Sequence, residues 1–220
     1  MHLPALLQFL AELHANNSKS WFLHNKPHYD ILREEFVELV ADVGYRIQQF
    51  DDDLPPFTPK KALLRIYRDV RFYKDKSPFK THFGAMFGGR ATDKTRPMYY
   101  LQIDHTGRLM VACGIHNADK TIHRKLRDAL VSDPKKYTAA LTNPRLLQIY
   151  GGVSEEDRMV RPPKGYAVDL PMIEHIKNRH FICVTETNLI TKPPKQLPAW
   201  IAERCEAAYP LVKWIRQASR

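Results

Sequence analysis

Leu3, Leu6, Leu7, Leu10 and Leu13 recur at the spacing of one helical face, so the pattern predicts an amphipathic helix over residues 3–14. Asn16-Asn17 ends it and Ser18 is placed to cap a second helix over 18–50, kinked or restarted at Pro27. Along that helix Leu32, Phe36, Leu39, Val40, Val43, Ile47 and Phe50 fall on one side, with Asp30, Glu34, Glu38 and Asp42 opposite. Residues 51–61, rich in proline, read as a connecting loop. The pattern then changes to period two. ALLRIYRDVRF predicts a strand, FGAMFGG another, and MYYLQIDHTGRLMVACGIH two more joined by a turn at Asp104–Gly107. Helices are expected at about 119–131, at 134–142 and from Pro171 to about Asn178, then a strand in HFICVTET and a terminal helix bent or broken near Pro210.

Helices, then mainly antiparallel strands, then helices make an α+β fold, not alternating βαβ units. The expected architecture is one domain, 1–220, with N-terminal helices over about 1–50, a mainly antiparallel sheet containing a 63–74 strand and the 98–116 hairpin, and C-terminal helices. A chain of 220 residues with 44% apolar residues can bury a sizeable core.

Charge sharpens this picture. The net charge is +10, yet residues 1–58 carry four Lys and Arg against nine Asp and Glu, whereas residues 59–97 carry eleven against three Asp. One basic face is expected, a surface suited to an anionic partner. The charge peaks in RDVRFYKDKSPFKTHFG, residues 68–84, with five Lys and Arg and one His against two Asp, among four aromatics.

On an extended segment Arg68 shares a face with Ile66, Val70 and Phe72, where an unpartnered guanidinium is costly. It needs a carboxylate, carbonyls or a bound anion. Ion pairs of Arg68 with Asp69, or Arg71 with Asp75, are the folding-device reading of the motif. The binding reading assigns Arg68 and Arg71 to grip a phosphate, Lys74, Lys76 and Lys80 to supply field, and Tyr99 or Tyr100 to line the pocket. Ser77-Pro78 would open a short helix whose free N–H groups face the same ligand. His82 and Asp69 are the weak candidates for proton transfer if the site is catalytic.

Other constellations carry less. Cys113, His116, Asp119 and His123 are a poor metal set, because no second ligand pair stands at matching spacing. No metal and no cofactor is therefore expected, and no Walker A loop, GxGxxG, GxSxG or HExxH is present. Three scattered cysteines suggest reduced thiols, hence a cytoplasmic protein. No apolar run is long enough to span a membrane, and the N-terminus resembles a signal peptide only in being apolar.

Taken in order, NNSKSWFLHNKPHYD, RIYRDVRFYKDKSPFKTHFGAMF, YYLQIDHTGRLMVACGIH and PPKGYAVDLPMIEHIKNRHF resemble the domain-of-unknown-function 2461 family, conserved hypothetical proteins of bacteria and fungi. The most specific piece follows the family pattern RDxRFxKDKxPYKxxxG, with Phe79 where Tyr is common. Pro27 and Cys113 depart from the family pattern. The resemblance implies a single intracellular α+β domain and marks Arg68, Asp69, Arg71, Lys74, Asp75, Lys76, Pro78 and Lys80 as signature positions. It carries no established activity and so no catalytic residues.

The expected function is binding of a phosphate-bearing ligand at 65–82, nucleic acid first, then a nucleotide or other phosphorylated small molecule. The alternatives are an enzyme acting on a phosphorylated substrate there, and a homo-oligomer pairing the acidic helix of one copy with the basic face of another.

Overall fold

The computed structural model describes residues 1–69, 71, 76–89 and 92–220. Its elements are helices α1 (Leu3–Ala15), α2 (Lys19–Gln48) and α3 (Pro59–Ala62), strands β1 (His82–Phe87), β2 (Met98–Asp104) and β3 (Arg108–Ile115), helices α4 (Lys120–Ser132), α5 (Pro134–Leu141), α6 (Pro144–Tyr150) and α7 (Ile173–Ile176), strand β4 (Phe181–Asn188), and helix α8 (Leu197–Ala218). The four strands form one antiparallel sheet in the order β1-β2-β3-β4, and the fold class is α+β.

The strongest local signals act as expected. Ser18 accepts the Trp21 N–H at 3.3 Å and starts α2. In the β2–β3 turn the Asp104 carboxylate accepts the Thr106 N–H at 2.9 Å and its hydroxyl at 2.6 Å, while Gly107 supplies φ +78. Both internal prolines are tolerated: α2 runs on through Pro27 and α8 through Pro210, so neither helix breaks there. On the C-terminal side of Pro27, Leu32, Phe36, Val40, Val43 and Ile47 are buried, and Phe22 is buried before it. Tertiary burial on both sides outweighs one missing hydrogen bond.

Three expectations change. The helix from Pro171 contracts to the single turn of α7. Residues 144–150 form a helix that hydrophobic period did not reveal, closed by an Asn143 cap and by Gly151 at φ 70. The 63–74 strand is present only as bridges at Leu63 and Tyr67, and its residues 70 and 72–74 lie outside the described residues.

The residues divide into two compact units. The first comprises Met1–Phe87, Tyr100–Val111 and Glu186–Ala202, so the N-terminal helices share a unit with the basic motif. Here α2 lies against α1, α3 and β1, and aromatic contacts Phe36–Phe83 and Phe57–Phe87 join helix or loop to strand. Three of the four acids of the α2 stripe have local partners: Asp30 pairs with Lys26, Glu34 with Arg33 and Lys60, and Asp42 with Arg46. The second unit comprises Gly88–Tyr99, Ala112–Thr185 and Glu203–Arg220. Its core is built from Ile115, Leu126, Tyr137, Leu146, Phe181, Leu211 and Trp214. Among the described residues no helix is long and apolar enough to cross a membrane.

Candidate functional site

The basic motif lies in the first unit, where residues 63–68 run antiparallel to 78–85. The Leu64 N–H donates to the Gly84 carbonyl at 2.8 Å, the Lys80 N–H to Ile66 at 2.8 Å, and the Arg68 N–H to Pro78 at 2.9 Å. The register slips between them. Four residues separate Leu63 from Tyr67, while six separate their partners Phe79 and Ala85, so the second segment carries two extra residues. Such a bulge interrupts the ladder and re-aims side chains, which is why a continuous strand does not form.

The anchor of the motif is Phe79. Asn17, just before α2, donates its amide to the Phe79 carbonyl and accepts the Phe79 N–H, both at 3.0 Å. The Phe79 ring is buried and stacks on Phe22 with centroids 4.1 Å apart. No helix begins at Ser77-Pro78, so the expected helical array of N–H groups is not formed.

Around this anchor the charges are distributed unevenly. Asp69 takes Arg71 in a two-pronged pair at 2.9 and 2.7 Å and approaches Arg65 at 3.9 Å. The Arg71 hydrogen bonds hold the Asp69 carboxyl well below the usual carboxylate range, at about 2. Thus Asp69 stays ionised at neutral pH and is poorly matched to proton transfer. Arg68 is half-buried, and one of its partners is the Phe79 carbonyl at 3.4 Å. Lys80 is half-buried too; burial, with Arg65 and Arg68 close by, lowers its pKa. Lys76 is exposed, and Lys74 lies outside the described residues.

His82 opens β1. Burial, then the Lys80 charge, pushes its imidazole from 6.5 down to about 4. It is neutral at pH 7. The linkage has a definite sign: the unfolded chain takes up the proton first, so this residue costs stability as pH falls below 6.5, with the loss complete near 4. Denaturant titrations of wild type and His82→Gln at pH 7 and 5 are expected to differ by about 2 kcal/mol in their pH dependence, wild type losing more. Equal pH dependence would mean that His82 is solvated.

The two tyrosines separate. Tyr99 is fully buried and offers no surface to a ligand. Tyr100 donates its hydroxyl to Gln102 at 2.6 Å, and burial raises its pKa to about 12. The crevice lined by Tyr29, Arg33, His82 and Gly84 holds only ≈ 10 Å³, the room of a single water. This crevice has no room for a ligand of substrate size.

The set considered for a metal is dispersed into other contacts. Cys113 is buried against the Tyr150 hydroxyl, His116 stacks on His180, and Asp119 caps α4. Among the described residues no group of three His, Cys, Asp or Glu side chains is placed to hold a metal ion.

Sequence reasoning passed over Asn17, although its position in NNSKSW at a helix start marked it as a backbone-capping residue. It also passed over Arg127 and Arg179, basic residues far apart in the chain that line a cleft in the second unit. Comparison with curated proteins and with solved structures finds no match. The family model described as "Conserved hypothetical protein (DUF2461)" matches residues 5–214, and the chain belongs to that family.

Proposed function

We propose that the protein binds the phosphate backbone of nucleic acid through the surface formed by Arg65, Arg68, Lys76 and Lys80. The observation that carries this reading is the crowding at Lys80. Strand pairing brings it beside two guanidiniums, and it is half out of water. Like charges held together cost stability, and a polyanion laid across them converts that cost into affinity by releasing counterions. A row of cations along one paired segment suits an extended polyanion.

Arg71 is assigned a lesser part than the sequence suggested, because its guanidinium is engaged by Asp69. The proton-transfer candidates fit catalysis poorly, Asp69 being permanently ionised and His82 having its pKa far below neutrality.

The test is fluorescence anisotropy with a short single strand and a short duplex at about 50 and 200 mM salt. Arg68→Ala with Lys80→Ala is expected to weaken binding by roughly 1–3 kcal/mol and flatten the salt dependence, without loss of the native circular-dichroism spectrum. Binding that is indifferent to the double substitution would rule out this surface.

A further inference from the structure

The second unit contains a cleft of ≈ 530 Å³ whose lining includes Lys94, Asn117, His123, Arg127 and Arg179. Its volume lies in the range of small-ligand sites. Among the described residues no carboxylate lines it. Acids stand close by: Asp157 approaches Arg179 and His180 at 3.9 Å each, and Asp119 bears electrostatically on His123.

Arg127 is the central group. Its Nε donates to the Ile176 carbonyl at 2.8 Å and its Nη2 to the Asn178 carbonyl at 3.2 Å. These bonds fix the plane of the guanidinium but neutralise none of its charge. No carboxylate pairs with it among the described residues, and its Nη1 has no protein acceptor there. Burial disfavours its charged form. A half-buried cation held by carbonyls, with one edge left over, is a preorganised anion donor.

The rim is also fixed before any ligand arrives. The Asn117 N–H donates to His180 Nδ1 at 3.2 Å in a left-handed turn, φ 53. His180 in turn stacks on His116, centroids 4.1 Å apart. The Lys94 carbonyl accepts the Asp119 N–H at 3.0 Å and ties its loop to the start of α4. His123 brings a ring nitrogen, Nε2, that is out of solvent and has no partner. On its other side Arg127 borders a second depression of ≈ 300 Å³ with Lys120 and Lys164. The acid there, Asp128, already accepts the Tyr166 hydroxyl at 2.7 Å.

We infer that this cleft is a site for a small phosphorylated ligand, its phosphoryl group held by Arg127, Lys94 and Arg179 beside the His123 ring. Basic ground on both sides of Arg127 suits two linked phosphoryl groups. The site is independent of the motif at residues 65–80.

Inorganic pyrophosphate is the probe, titrated calorimetrically into the full chain at constant ionic strength, with sulfate as the control anion. Saturable binding to a single site is expected, weakened about tenfold by Lys94→Ala and by Arg179→Gln, the size of one lost charge-assisted hydrogen bond. Neither substitution removes an Arg127–carbonyl bond, so both variants are expected to melt with wild type. The His123 ring protons are expected to shift on binding, and Arg68→Ala with Lys80→Ala to leave the affinity unchanged. Three results would overturn the assignment: no saturable binding, binding untouched by both cleft substitutions, or binding lost in the Arg68/Lys80 variant alone.

Discussion

Phe79→Ala is expected to destabilise the protein by about 3–5 kcal/mol, enough to unfold a marginally stable chain at physiological temperature. The ring is buried, stacked on Phe22 and tilted against Tyr67. The backbone of the same residue is clamped twice by Asn17, so a collapse of the cavity would strain that clamp. The contrast with the basic residues gives the experiment its meaning. In urea titrations Arg68→Ala with Lys80→Ala is expected to cost little, since it also relieves repulsion. If Phe79→Ala melted like wild type, the motif would not be anchored at this residue. The segment thus combines an aromatic that fixes the chain, Phe79, with cations on either side of it, Arg68 and Lys80.

Gly114→Ala is the second large effect, expected at about 3 kcal/mol or more. Gly114 sits in β3 at φ +126, a conformation that residues with a Cβ rarely adopt. An added Cβ would lie 2.1 Å from the Phe181 carbonyl oxygen and 3.0 Å from the Ile182 Cα, both main-chain atoms of β4. Neither can step aside without parting the two strands. Gly44 makes a useful comparison: a Cβ there would lie 1.8 Å from the tip of the Phe57 ring, which belongs to a side chain able to turn. Melting temperatures would rank the variants, with Gly114→Ala lowest. A Gly114→Ala protein melting with wild type would mean that β3 and β4 do not approach so closely.

The parts of the fold legible in the sequence were those encoded by neighbours along the chain. The buried face of α2, the Ser18 cap and the Asp104–Gly107 turn follow from side chains acting within four residues of themselves. Helix α6 was equally local, with Asn143, Pro144 and Gly151 in capping order, but at seven residues it is too short to show a hydrophobic period. Neither proline breaks its helix, because one lost hydrogen bond does not outweigh the whole buried face.

The candidate site was half legible. A dense run of cations announces itself, and Arg68, Lys76 and Lys80 stand where the sequence put them, on one short stretch. What each of them touches was decided by the fold. The Asp69–Arg71 pair forms across two residues, but Asn17 reaches Phe79 from 62 residues away. Arg127 and Arg179 were invisible as a site because no local spacing joins them.

By itself, then, the sequence determined the α+β order of elements, the family and the charge imbalance, all of which are sums or periodicities over adjacent residues. Tertiary structure alone decided that Tyr99 is enclosed, that strand 63–74 gives way to a bulged pairing, and that a cleft lined by cations forms in the second unit. The physical reason is the same in each case: burial and electrostatic interaction depend on distance through space, and the chain sets that distance only after it has folded.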